Sequence, residues 1–244
     1  MILCLCLRKI SPRVFLNTNQ QLLFKKRGIM STRTRKSTHA HRTFGSSQKR
    51  LRVLVDMDQV LCDFEGSFLV KYREKYPEEP FIPLEERNTF YIADQYAKLE
   101  PDMQDKARDI WNAEGFFLNL PEIKGGCQAL TEMSQMEDVD VFICTSPLTF
   151  YKYCLQEKFK WVEDHLGPDW ISRLVITKDK TMVHGDVLID DKPRIRGVRD
   201  PPSWKQVLFT APYNQKVDLR GRQRLNTWTD DCWRDIIEDF KKRI

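Results

Sequence analysis

The chain has 244 residues, 41% apolar and 31% charged, with a formal net charge of +5. This is a soluble, globular composition, long enough for one large domain or for a core with a modest insertion. Its longest unbroken apolar stretch, Met1–Leu7, is far short of a membrane span, and collagen, coiled coil and wholly disordered chains are excluded with the integral membrane proteins.

The charge is unevenly placed. Residues 1–52 hold thirteen Lys or Arg and no acid; the remainder holds 27 basic and 35 acidic residues. The folded part is therefore acidic, and the basic balance belongs to the N-terminal segment rather than to a nucleic-acid-binding surface. Residues 1–50 are rich in Arg, Lys, Ser and Thr, and Phe15, Leu16, Leu22, Leu23 and Phe24 recur at spacings of seven and eight. An acid-free stretch with such an apolar face has the make-up of a mitochondrial transit peptide. A basic tail with no address is the bland alternative. Translation from Met30 would remove most of the amphipathic part and leave the product in the cytosol.

From residue 51 onward the pattern is α/β. Arg52–Asp56 reads as a short strand running into an acid, Val139–Thr145 as a buried strand ending in a hydroxyl, and Leu174–Thr177 and Val187–Asp190 as two more. Val207–Phe209 is a candidate fifth. Short apolar runs separated by helical stretches predict an α/β fold with a parallel sheet covered on both faces. Helical faces are carried by Phe64, Phe68, Tyr72 and Tyr76, by Met103, Ala107 and Ile110 with Asp102 as N-cap, by Ala129, Leu130 and Met133, and by Trp233, Ile236, Ile237 and Phe240. Residues 65–120 contain no convincing buried strand. They are expected to form a helical cap inserted into a core of residues 51–64 and 121–244. Seven cysteines, an odd number without CxxC pairs or zinc-ligand spacing, read as free thiols in a reducing compartment.

Four strand ends carry polar groups: Asp56-x-Asp58, Thr145-Ser146, Lys180 and Asp190-Asp191. In open parallel sheets ligands bind beyond the carboxyl ends of the strands, so neighbouring strands would bring these groups to one crevice. Clustered aspartates require a cation or bound protons, and an oxygen-only ligand set favours Mg²⁺. A metal and a lysine beside a hydroxyl suit a phosphate group. One carboxylate can then act as nucleophile and a second, two residues on, as general acid and base. Taken singly, each motif also fits a solvated turn, a helix cap or a surface lysine. No GxxxxGK[ST] loop or Cys-x5-Arg loop occurs, so neither a P-loop kinase nor a cysteine phosphatase is supported.

Asp56-Met57-Asp58-Gln59-Val60-Leu61, Ile143–Pro147, Thr177–Thr181 and Leu188–Lys192 resemble the four ordered motifs of the haloacid dehalogenase superfamily. Phe64-Glu65-Gly66, Phe90-Tyr91-Ile92, Lys152-Tyr153-Cys154 and Pro202-Ser203-Trp204 narrow the likeness to the 5'(3')-deoxyribonucleotidases, the mitochondrial type above all. That resemblance implies a Rossmann-like parallel sheet with helices on both faces and a small helical cap, and a Mg²⁺-dependent phosphatase for deoxynucleoside monophosphates, dUMP and dTMP foremost. By motif, Asp56 would be the nucleophile and Asp58 the acid/base. Asp56, the backbone carbonyl of Asp58 and Asp191 would hold the metal, with Asp190 orienting its water shell. Thr145 and Lys180 would contact phosphate; Phe64, Phe90, Tyr91 and Ile92 would form the base pocket, with Ser146 and Lys158 in the same cleft. Neither nucleic acid nor membrane is an expected partner. Dimers are common in the relatives, though no interface is legible here. Gln59, Tyr91 and Lys178 depart from the usual glycine, tryptophan and arginine. The rival readings are a phosphatase for another small metabolite, a non-catalytic binding protein on the same scaffold, and a nucleic-acid module using the tail.

Overall fold

The computed structural model describes residues 49–244. The transit-peptide reading, Met30, Cys4 and Cys6 lie outside them. The described chain runs β1 (Leu51–Val55), α1 (Phe64–Lys75), α2 (Ile92–Tyr96), α3 (Met103–Trp111), α4 (Gly126–Gln135), β2 (Val139–Thr145), α5 (Cys154–Leu166), β3 (Leu174–Ile176), β4 (Val187–Asp190), β5 (Lys205–Phe209), β6 (Gln223–Leu225) and α6 (Cys232–Lys241), with short 3-10 turns between. The six strands form one sheet in the order β3-β2-β1-β4-β5-β6, every pairing parallel.

β-Branched and large aliphatic residues suit a strand buried on both faces, and β1 is flanked on both edges by β2 and β4. Successive side chains leave a strand on opposite faces. Accordingly Leu51, Val53 and Val55 join a large apolar cluster with Val141, Ile143, Val187 and Ile189, whereas Leu54 joins a small one with Cys144, Leu188 and Trp204. Side chains from α4, α5 and α6 enter the large cluster. The small one is closed by Trp204 and by Val183 and Ile195 from the connections after β3 and β4.

Three helices and no strand lie between residues 64 and 120. Phe68 and Tyr72 of α1, and Met103, Ala107 and Ile110 of α3, are buried as the spacing predicts. Asp102 precedes α3 but does not cap it. Its backbone is already helical (φ −80°, ψ −16°), whereas a capping residue needs an extended backbone, and its carboxylate pairs with Lys106 at 2.8 Å instead. The sixth strand, Gln223–Leu225, is absent from the sequence reading. It has only three residues, lies at the sheet edge, and only Leu225 is buried.

Among the described residues Cys62, Cys127, Cys144 and Cys154 are buried free thiols and Cys232 is exposed. Burial pushes the Cys127 and Cys144 thiols up to about 12, so they behave as small apolar groups. No described helix is long and apolar enough to cross a membrane.

Candidate active site

The strand order reverses between β1 and β4. The connection from β1 proceeds outward through β2 and β3, and the chain then returns to β4 on the other side of β1. The crevice opens at such a reversal, beyond the carboxyl ends of the strands. Asp56 follows β1 directly, and its backbone N–H still donates to Ile189 O at 2.9 Å. Asp190 is the last residue of β4, with Asp191 next. The two central strands therefore deliver three carboxylates to one point: single oxygens of Asp56, Asp190 and Asp191 lie within 4.8 Å of one another.

Lys180 reaches this point from the 3-10 turn after β3. Its Nζ lies 2.7 Å from Asp56 Oδ1 and 2.6 Å from Asp190 Oδ2. Trp204 fixes that turn by donating its indole N–H to Lys180 O at 3.0 Å. Burial disfavours the Lys180 ammonium, but Asp190 and Asp56 outweigh it and hold its pKa above the ordinary lysine value. Asp190 is buried, and burial raises its carboxyl above the usual range against the pull of Lys180. Asp191 is 2% exposed, is in no ion pair among the described residues, and is pushed well up by burial and by Asp190 and Asp56. Three carboxylates sharing one lysine leave an excess of negative charge and a donor set made only of oxygens. That chemistry fits a hard divalent cation.

Asp58 sits two residues beyond Asp56, and its carboxylate accepts from Lys158 Nζ at 2.7 Å. Lys158, on α5 and fully buried, also donates to Thr145 Oγ1 at 2.8 Å and to Ser146 O at 3.0 Å. One buried ammonium thus ties the loop after β1 to the end of β2. Burial raises the Asp58 carboxyl, with Lys158 opposing and Asp56 adding to the rise. A carboxyl so placed keeps its proton more readily than a solvated one, as a general acid requires.

The loop between these acids and α1 is held from several sides. Leu61 and Cys62 N–H donate to Met57 O, and Trp228 Nε1 donates to Val60 O at 2.7 Å. Gln59 takes a left-handed backbone, φ 58°, a conformation that favours glycine. Its Oε1 accepts from the Glu65 backbone N–H at 2.8 Å, and Asp63 caps α1 through Gly66 N–H at 2.9 Å. A Cβ on Gly66 would collide with the Asp63 carboxylate.

Over the acids lies a cleft of about 410 Å³. Asp56, Asp58, Asp190, Asp191, Lys180 and Ser146 wall its floor side; Phe64, Phe90, Tyr91 and Ile92 face it from α1, α2 and the turn before α2. Phe90 stands edge-on to Tyr91 and Tyr213, with centroids at 5.0 and 5.7 Å. Thr145 and Lys158 are not on the wall but directly behind it, both fully buried. Lys178, the arginine departure, lines the cleft, and Tyr91 adds a hydroxyl that accepts from Lys192 Nζ at 3.2 Å. Arg108, Trp111, Lys192 and Tyr213 also line it and were not singled out from the sequence. Lys192 was within reach, being adjacent to Asp190-Asp191. The other three carry no local signal, because only the packing of α3 and of the chain after β5 brings them there.

A family model described as 5' nucleotidase, deoxy (pyrimidine), cytosolic type C protein matches residues 49–239. The chain is 49% identical over 191 residues to the mitochondrial 5'(3')-deoxyribonucleotidase of Homo sapiens, covering 78% of this chain and 83% of that protein. It is 48% identical over 191 residues to the cytosolic type of Homo sapiens, covering 78% and 94%. Among solved structures, a HAD family hydrolase from Deinococcus radiodurans R1 with bound phosphate and sodium superposes with a TM-score of 0.54 at 13% identity, covering 78% of this chain and 95% of that one, a likeness of fold. The strand-end acids, their order in the sheet and these matches agree with the family read from the four motifs: the chain belongs to the 5'(3')-deoxyribonucleotidases, phosphoric monoester hydrolases of the haloacid dehalogenase type.

Proposed function

We propose that the protein hydrolyses deoxyribonucleoside 5'- and 3'-monophosphates, with dUMP and dTMP favoured, in a Mg²⁺-dependent reaction that passes through an aspartyl phosphate on Asp56. The observation that carries this reading is the meeting of Asp56, Asp190 and Asp191 around Lys180 beneath an aromatic-walled cleft.

When bound, the metal would offset the repulsion between the phosphate and the attacking carboxylate. Asp56, Asp191 and the backbone carbonyl of Asp58 would hold it, with Asp190 behind. The chain's own groups do the rest. An Asp56 carboxylate oxygen forms the new bond to phosphorus while the bond from phosphorus to the nucleoside oxygen breaks. Asp58 gives its proton to that leaving oxygen. Asp58 then takes a proton from water as the water oxygen attacks phosphorus, freeing inorganic phosphate and the Asp56 carboxylate. Lys180 and Ser146 steady the phosphate oxygens, with Thr145 behind them as the acceptor of Lys158. Lys158 holds Asp58 in place. Phe64, Phe90, Tyr91 and Ile92 receive the base, where flat apolar rings favour a stacked or edge-on partner. Residues 65–120 serve as a cap on the core of residues 51–64 and 121–244. The N-terminal 50 residues carry the enzyme to mitochondria, a reading open to a fluorescent fusion of that segment with and without Met1.

The test is phosphate release from a panel of nucleoside monophosphates, run with Mg²⁺ and with EDTA. Deoxypyrimidine monophosphates should be turned over, EDTA should abolish turnover, and Asp56→Asn should remove it while the far-ultraviolet spectrum is unchanged. Near-normal activity of Asp56→Asn, or preference for a phosphosugar over dUMP, would overturn the reading.

A further inference from the structure

Beside the acidic cleft lies a second depression, of about 870 Å³ and opposite charge. Its walls come from residues 88–91 before α2, from the connection after β4, from Gln206 of β5 and from the loop between β5 and β6. Its cations are Lys192, Arg194, Arg196, Arg220 and Arg222, against the single acid Asp218. This stands out in a chain whose residues 53–244 carry 27 basic and 35 acidic side chains. None of the five cations is in an ion pair among the described residues.

Arg222 shows how the charge is held. Its Nε donates to Leu219 O at 2.9 Å, and its Nη1 to Pro193 O at 2.8 Å and Gln206 Oε1 at 2.6 Å. Neutral carbonyl oxygens fix the guanidinium without cancelling its charge. Burial and the nearby Arg220 and Arg224 press its pKa below the ordinary arginine value, as expected of cations gathered with no counterion. The depression also joins the catalytic cleft: Phe90, Tyr91, Lys192 and Arg196 face both.

We propose that this groove binds a compact polyphosphate anion, the phosphate chain of a nucleoside di- or triphosphate, at a site separate from the catalytic acids. Arginine forks match phosphate oxygens in pairs, which a sulfate-sized or singly charged anion would leave mostly unused. Several anionic groups on one short ligand are what five cations and one acid call for. A long polyanion such as nucleic acid would run from the groove onto a predominantly acidic surface. An occupant neutralises Lys192 and Arg196, which also face the catalytic cleft, and so weakens that cleft's hold on an anionic substrate. By linkage, the two ligands weaken each other by the same factor.

The test is calorimetric titration of the full chain with sodium tripolyphosphate and with dTTP, in EDTA. It compares the parent with the double variant Arg194→Glu/Arg220→Glu, two exposed residues outside the catalytic cleft. Both ligands should bind the parent. The charge reversals should weaken both by about tenfold or more. Asp56→Asn should bind as the parent does. With dUMP as substrate, tripolyphosphate should raise KM in the parent at unchanged kcat and have no effect on the double variant. Binding undiminished in the double variant would overturn the proposal, placing the anion in the catalytic cleft or on the basic N-terminal segment; so would absence of binding to the parent. An oligothymidylate without terminal phosphate that binds tighter than tripolyphosphate, and loses that affinity in the double variant, would overturn the compact-ligand assignment. The binding arms need no turnover, so they stand or fall apart from the nucleotidase reading.

Discussion

Gln59 occupies a backbone conformation that crowds its own Cβ, at φ 58°. The side chain offsets this by accepting from the Glu65 N–H, one of the first-turn amides of α1 that lack an intrahelical partner. Two opposite substitutions separate these effects. Gln59→Gly relieves the strain but loses the acceptor, and should lie within about 1 kcal/mol of the parent. Gln59→Ala keeps the strain and loses the acceptor, and should cost about 1–2 kcal/mol. Urea unfolding midpoints at constant slope measure both, and an alanine variant as stable as the parent would show that the bond to Glu65 adds nothing. At Asp58 the effect falls on rate and stability together, because Asp58 is the one carboxylate paired with the fully buried Lys158 among the described residues. Asp58→Asn removes the proposed proton donor and the partner of Lys158, and kcat on dUMP should fall by roughly 10²–10⁴. A drop in kcat of less than about threefold would take the acid/base role away from this residue.

The elements that carry the aromatic wall are tied together by charge. Arg87 forms a two-pronged pair with Glu65 on α1, Nε to Oε2 at 2.8 Å and Nη2 to Oε1 at 3.0 Å, with both side chains nearly free of solvent. Its other arm reaches Gln95 on α2, and Gln95 in turn donates to Glu86 O at 2.9 Å. The segment pinned between these contacts is the one that bears Phe90 and Tyr91. Removing one member of a buried pair strands the other, so Arg87→Met should cost about 3–5 kcal/mol. At temperatures where the variant stays folded, KM for dUMP should rise more than kcat falls, because the aromatic wall loses its anchor while the acids do not. Glu65→Leu/Arg87→Met together should recover part of the stability, and a double variant no better than the single would mean that the pair is not the source of the loss. None of this network was legible beforehand. Glu65 stands out only within Phe64-Glu65-Gly66, and Arg87 and Gln95, a further 22 and 8 residues along, follow no periodicity with it. The strand ends were legible for the opposite reason. A buried parallel strand must be a short apolar run, and a charged residue at its carboxyl end interrupts that run, so Val55-Asp56 and Ile189-Asp190 mark the fold and the candidate site at once. β6, polar and short at the edge, offers no such contrast.

At the scale of the molecule, the reversal of strand order concentrates like charges where the sheet's central strands end. Three carboxylates with one lysine among them repel unless a cation joins them or protons are taken up, so a bound cation should stabilise the folded chain. Anything that binds only the folded state adds stability by mass action, about 2.7 kcal/mol at a hundredfold excess over the dissociation constant. For a chain of this size that corresponds to a rise in Tm of about 5–10 °C. Asp191 is the discriminating position, since it belongs to the triad yet pairs with no lysine among the described residues. In EDTA, Asp191→Asn removes one of the repelling charges and should melt no lower than the parent. With Mg²⁺ the parent should gain its rise in Tm and the variant little or none. The two melting curves should therefore cross over between the chelated and the metal-loaded condition, which a purely structural role for Asp191 does not predict. If the parent melts at one temperature in both conditions, the acidic triad holds no divalent ion and the metal-dependent reading of the site fails with it.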